Sequence, residues 1–174
     1  MTSSAATLRS LPAFEQPLPG VLWFMQQLWA TMHRLDTSSK RMAATMGVTG
    51  PQRLVLRVVG LFPGASAGEL AATLHVHPST MTGVLQRLTA QGLLERRTDP
   101  LDGRRARFHL TRDGVRMNQW KAGTIEAGVE LALSRVSPEA LDTAERVLVT
   151  LTAALDEAAE DARRLAPRRR RSRR

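Results

Sequence analysis

Between Pro78 and Gln91 the apolar residues Met81, Val84, Leu85 and Leu88 return every three or four positions, so a helix over 78–91 buries them together. The face left to solvent then carries Ser79, Thr80, Thr82, Gly83 and Gln86, with Arg87 at its edge. Every one is either small or able to hydrogen-bond. Such a face can approach nucleobase edges closely: a Gln amide matches adenine, while Ser and Thr hydroxyls serve bases or phosphates. An ordinary solvated helix has the same composition, so the helix alone does not decide. A second group lies in Asp99-Pro100-Leu101-Asp102-Gly103-Arg104-Arg105, a turn-rich segment ending in two arginines. A guanidinium at a hairpin tip suits the negative potential of a narrow minor groove. Asp102 is spaced to orient Arg104 through a charge-assisted bond. The plain alternative is a charged surface hairpin.

Definite elements must position these groups. Ser66 and Glu69 stand at capping-box spacing and open a short helix with Leu70 and Leu74 on its apolar side. Pro78 suits a first helical position, with His77 as N-cap, a weaker choice than Ser or Asp. Gly92 fits the left-handed residue that ends a helix. Leu93 and Leu94 then lead into one strand. Arg104–Thr111 alternates as another, with Ala106, Phe108 and Leu110 on one side and Arg105, Arg107 and His109 on the other. Two short helices followed by an Arg-tipped hairpin describe a winged helix-turn-helix.

With these residues in place, the sequence resembles the MarR family of transcriptional regulators. The likeness is carried by SAGELAATL, HPSTMTGVLQRLTAQGLLERR, the wing DPLDGRR and the segment FHLTRDG, and it extends over about residues 20–160. The wing is fairly specific; the helix pair alone fits many winged-helix families. The resemblance implies a mainly α fold with a small β wing, acting as a homodimer on pseudo-palindromic double-stranded DNA. Helix 78–91 would enter the major groove and Arg104 the minor groove. It further implies repression, with release by a small ligand or by oxidation.

The flanks read as helices. From Val21 to Met46 the residues Val21, Met25, Leu28, Met32, Leu35, Met42 and Met46 keep helical spacing, widened by Leu22 and Trp29. Thr49-Gly50-Pro51-Gln52 is a second capping box and opens a short helix over Leu54–Leu61, stopped by Phe62-Pro63-Gly64. Thr111 caps an expected long helix carrying Val115, Trp120, Ile125, Val129 and Leu133. Ser137-Pro138-Glu139 stops that helix and starts another, lined by Leu141, Ala144, Leu148, Leu151 and Leu155. This apolar surface exceeds what a small winged-helix core covers; packing within one chain competes with a second copy, and the family resemblance favours the copy. The expected division is an arm over 1–19, a dimerisation helix over 20–48, a DNA-binding lobe over 49–111, further dimerisation helices over 112–163 and an Arg-rich tail over 164–174. In the family, small molecules lodge between the dimerisation helices and the lobe. Trp23, Trp29, His33, Arg57 and Trp120 are the residues here that would line such a cleft for a flat, lipophilic or phenolic effector; Trp at helical spacing is also ordinary core.

Composition agrees. The net charge is +9, but six arginines fall within residues 168–174, leaving +3 on the rest of the 174 residues. The tail either adds non-specific DNA affinity or only solubilises. There is no cysteine, which removes disulfides, thiolate metal sites and thiol-based peroxide sensing. His33, His75, His77 and His109 form no local cluster of zinc-ligand spacing, so no metal or other cofactor is expected. No nucleophile elbow, phosphate-binding glycine loop or His-Glu-x-x-His occurs, which argues against an enzyme. No signal peptide or membrane-length apolar run is present, and a cytoplasmic location is expected. The competing function is an architectural or antisilencing protein that grips DNA with little sequence selectivity.

Overall fold

The computed structural model describes residues 18–165. The expected arm and tail therefore lie outside the described residues, except for their innermost two positions each. The chain forms two compact units that divide between Ala127 and Gly128.

The first unit begins with α1 (Gly20–Met46) and α2 (Gly50–Leu61), followed by β1 (Ala65–Ser66), α3 (Ala67–Thr73) and α4 (Pro78–Ala90). Strands β2 (Leu94–Thr98) and β3 (Ala106–Leu110) and helix α5 (Arg112–Gln119) complete it, with the first turn of α6 (Ile125–Leu133). Helix α1 stops where Gly47 turns left-handed at φ 74° and its N–H donates to the Ala43 carbonyl. Both capping boxes are formed: Thr49 N–H donates to Gln52 Oε1 at 2.8 Å, and Ser66 N–H to Glu69 Oε2 at 2.7 Å. Ser39 Oγ accepts from Gly50 N–H at 2.9 Å, which ties the start of α2 to α1.

The core lies under the helix pair. Val55, Leu56 and Val59 of α2 meet Leu70 of α3, Met81, Leu85 and Leu88 of α4, and Leu94 and Phe108 of the sheet. Each such burial contributes about 1.5–3 kcal/mol, which is what fixes α4 against its neighbours. The sheet is antiparallel in the order β1-β3-β2, with Arg96 opposite Phe108 and Arg97 opposite Arg107.

One expected element differs. The long helix after Thr111 is broken into α5 and α6. Thr111 does cap α5, accepting from Gly114 N–H at 3.0 Å. Helix α5 then ends at Gln119, Gly123 turns left-handed at φ 72°, and Thr124 Oγ1 accepts from Ala127 N–H at 3.2 Å to start the next helix. The break is stabilised from α2. The Arg53 side chain, only 3% exposed, donates to the carbonyls of Met117, Asn118 and Trp120 at this helix end, where Met117 also accepts from the Trp120 N–H. Its Nε also bonds Glu126 Oε1 at 2.8 Å. Gly114 is needed for another reason: a Cβ there would sit 2.0 Å from the Leu93 carbonyl oxygen.

Along α1 the apolar residues Val21, Leu22, Met25, Trp29, Met32 and Leu35 are exposed, Trp29 at 65%. In the second unit, α7 (Pro138–Leu165) continues through the two innermost residues assigned above to the tail, and exposes Leu141, Leu148 and Leu155.

Candidate nucleic-acid interface

Helix α4 presents Ser79, Thr80, Thr82, Gln86 and Arg87 as exposed residues, while Met81, Leu85 and Leu88 hold the opposite side in the core. Its N-terminus is capped by His77, whose Nδ1 accepts from Ser79 N–H at 3.3 Å. Ser79 Oγ lies 2.7 Å from the same nitrogen, so this hydroxyl is already engaged. Thr82 Oγ1 donates to the Pro78 carbonyl at 2.9 Å and keeps its lone pairs for an incoming donor. Gly83 is half-buried, yet an added Cβ would meet nothing within 4 Å. Packing inside the protein therefore does not require glycine there.

The wing is built around Asp99. Its carboxylate is buried, accepting from Leu101 N–H at 2.9 Å through Oδ1 and from Arg107 Nε at 2.8 Å through Oδ2. The Leu101 amide first, and the Arg107 guanidinium second, hold this carboxyl below the usual aspartate range. Arg107 also donates to the Gly64 carbonyl at 3.1 Å and to Glu69 Oε2 at 3.2 Å. One side chain thus joins the hairpin, the β1 turn and the cap of α3. Glu69 is itself held low, chiefly by the Ser66 amide.

Asp102 does orient the tip, but not as its spacing suggested. Its Oδ1 accepts from the Arg104 backbone N–H at 3.0 Å, while its ion pair, at 3.4 Å, is with Arg105. The reason is geometric. The Arg105 N–H bonds the Asp102 carbonyl at 2.8 Å, closing a tight turn that brings the Arg105 side chain back over the carboxylate. The Arg104 guanidinium is left with no partner among the described residues.

The residues considered for an effector cleft separate into two places. Trp29 and His33 share an open apolar face of α1 with Leu22 and Met25. Arg57 donates to the Asn118 carbonyl at 3.1 Å and to Asn118 Oδ1 at 3.3 Å, at the same helix end that carries Trp120. The Trp120 indole N–H donates to the Ala122 carbonyl at 2.9 Å. Trp23 is half-buried on α1. Among the described residues no group of three or more His, Cys, Asp or Glu could hold a metal ion, and no helix is long and apolar enough to cross a membrane.

Sequence reasoning missed Arg53 and Arg107 as organising residues. The signal for Arg53 was present: it interrupts an otherwise apolar helix face and sits one turn from Arg57. For Arg107, strand alternation placed it opposite the core, which hid its pairing with Asp99 across the hairpin.

A rod of polar side chains held by a helix pair, with an arginine-tipped hairpin beside it, defines a winged helix-turn-helix protein. Residues 46–105, from the end of α1 to the wing tip, match the sequence model of the MarR family. Over that segment, its helix-turn-helix and most of its wing, the chain is similar to the MarR family of transcriptional regulators. It is 29% identical over 124 residues to an organic hydroperoxide resistance transcriptional regulator of Bacillus subtilis (strain 168), spanning 71% of this chain and 83% of that one. It spans about half the length of further curated regulators that it matches. Among solved structures, the MepR–DNA complex of S. aureus aligns with a TM-score of 0.65 at 18% identity, over 76% of this chain and 97% of that one. The PcaV transcriptional regulator of Streptomyces coelicolor, solved with its natural ligand, aligns with a TM-score of 0.56 at 25% identity, over 79% and 92%. The curated relatives are regulators rather than enzymes.

Proposed function

We propose that the chain is a homodimeric repressor of pseudo-palindromic operator DNA. In this reading Thr80, Thr82, Gln86 and Arg87 of α4, with Ser79 and Gly83 beside them, face base edges and phosphates in the major groove. Arg104 enters the neighbouring minor groove from a wing that Asp102 and Arg105 hold in shape. The observation that carries the reading is the guanidinium of Arg104, unpartnered among the described residues and projected from a hairpin tip whose Asp99, Asp102, Arg105 and Arg107 are tied down. The exposed apolar stripe of α1 supports a second copy of the chain, because such a surface is costly to leave in water.

Release would come from a small aromatic or lipophilic effector rather than from oxidation at cysteine, since the sequence holds no thiol. The ligand-bound PcaV neighbour supports that choice. An effector acts by preferring one spacing of the two reading heads, and a coupling of about 1–3 kcal/mol is enough to change occupancy. Trp29 and His33 are the residues proposed to meet it, with Trp23, Arg57 and Trp120 as the further candidates.

Selection from a random DNA pool tests the reading. The expected result is an enriched inverted repeat with half-sites about one helical turn apart, bound by a species of twice the chain mass in sedimentation. An unenriched pool bound by single chains would overturn it and leave the low-selectivity architectural or antisilencing role, in which the wing and the Arg-rich tail supply the grip.

A further inference from the structure

Between the wing and the start of α3, with Thr82 of α4 at its side, lies a groove of about 600 Å³ lined on the wing by Arg96, Arg104 and Arg105 and opposite by the N-terminal turn of α3. Phe108 and Glu69 also line it. Arg96 stands opposite Phe108 in the β2–β3 register, and cross-strand partners share a face of the sheet. It is exposed, and its guanidinium makes no hydrogen bond or ion pair among the described residues. Three nearby arginines are engaged: Arg97 pairs with Glu95, Arg105 with Asp102, and Arg107 with Asp99. The groove's one carboxylate is neutralised, because Glu69 Oε2 is held by Ser66 N–H and by Arg107. What is left facing the space is the positive charge of Arg96 and Arg104 and the lone pairs and methyl of Thr82.

We propose that this groove seats the sugar–phosphate strand that divides the two DNA grooves, and that Arg96 is a phosphate-binding residue that fixes the register of the head. The inference rests on the reading above. If α4 lies in a major groove and the hairpin tip in the adjacent minor groove, the strand separating them must pass between helix and wing. A guanidinium there offers paired donors to phosphate oxygens and reads no sequence. Arg104 and Gln86 bear on where the head binds; Arg96 sets how firmly and in what register.

The test is Arg96→Gln against the selected operator, with Arg96→Lys as the conservative variant. A phosphate contact predicts several-fold weaker binding, unchanged sequence preference, and a log–log salt slope shallower by about one, with the slope restored by Lys. A second measurement scans neutral methylphosphonates through the strand between the two contacted grooves. The wild type should lose affinity at one position where Arg96→Gln loses nothing more. A wild-type slope for Arg96→Gln, with that variant equally sensitive to every neutral linkage, would overturn the proposal. In that event Arg104→Ala and Gln86→Ala distinguish the two failures. If they still weaken binding, the α4-and-wing reading stands without Arg96; if they too match wild type, that reading falls as well.

Discussion

Arg53 and Arg104 are the same residue put to opposite uses. Arg53 is enclosed where α2 meets the break between α5 and α6, and its donors go to three backbone carbonyls and the Glu126 carboxylate. Arg104 stands at the tip of a hairpin with nothing bound to its guanidinium among the described residues. The wing repeats the contrast at close range, since Arg107 is consumed by Asp99, Gly64 and Glu69 while Arg96 is free. Charge alone therefore does not mark a nucleic-acid contact in this chain. On the reading proposed above, whether the donors are already spent does.

The largest effect that would sharpen this comparison is expected at the joint. Arg53→Leu removes the guanidinium donors to the carbonyls of Met117, Asn118 and Trp120 and leaves Glu126 without its partner. It should cost about 3–5 kcal/mol of stability, measured by urea unfolding. Unchanged stability with weakened DNA binding would invert the contrast. At the tip, Arg104→Ala should weaken operator binding by about 1–3 kcal/mol while the urea midpoint stays in place. A shifted midpoint would show that the side chain has structural work after all. On α4, Gln86→Ala should relax preference at one position of each half-site, worth about 1 kcal/mol in selected-sequence profiles. The smallest effect concerns acid. Asp99 titrates below its ordinary value of 3.8 in the folded chain, so its stabilisation is present above that pH and fades as pH falls through the lowered value. Asp99→Asn should flatten the acid limb of the unfolding curve below about pH 4. An unaltered limb would show that the carboxylate does not hold the wing.

Local chemistry made much of this legible beforehand. The Thr49/Gln52 and Ser66/Glu69 boxes, His77 with Pro78, and Gly92 each satisfy helix ends within four residues, so sequence spacing specifies them. The alternation of β3 and the apolar side of α4 follow from periods that a single segment carries. What escaped depended on partners far apart in sequence. Nothing near Trp120 announces that Arg53, 67 residues earlier, accompanies the break in the helix. Asp102 is a case of correct residue and wrong partner. Its spacing allows a bond to either arginine, and only the closed turn directs the carboxylate to Arg105. The α4 face was visible as a candidate, whereas Arg96 became one only once strand register placed it beside Phe108 and across from Thr82.

The reach of Arg107 has a consequence for how this head tolerates its target. A hairpin moored to the turn before β1 and to the cap of α3 cannot swing independently of the rod beside it. Insertion of a base pair between the stretch touched by α4 and the stretch touched by the tip should therefore be met by loss of one grip, not by flexure. On the proposed reading, such a head would measure the pitch of DNA with an inelastic calliper.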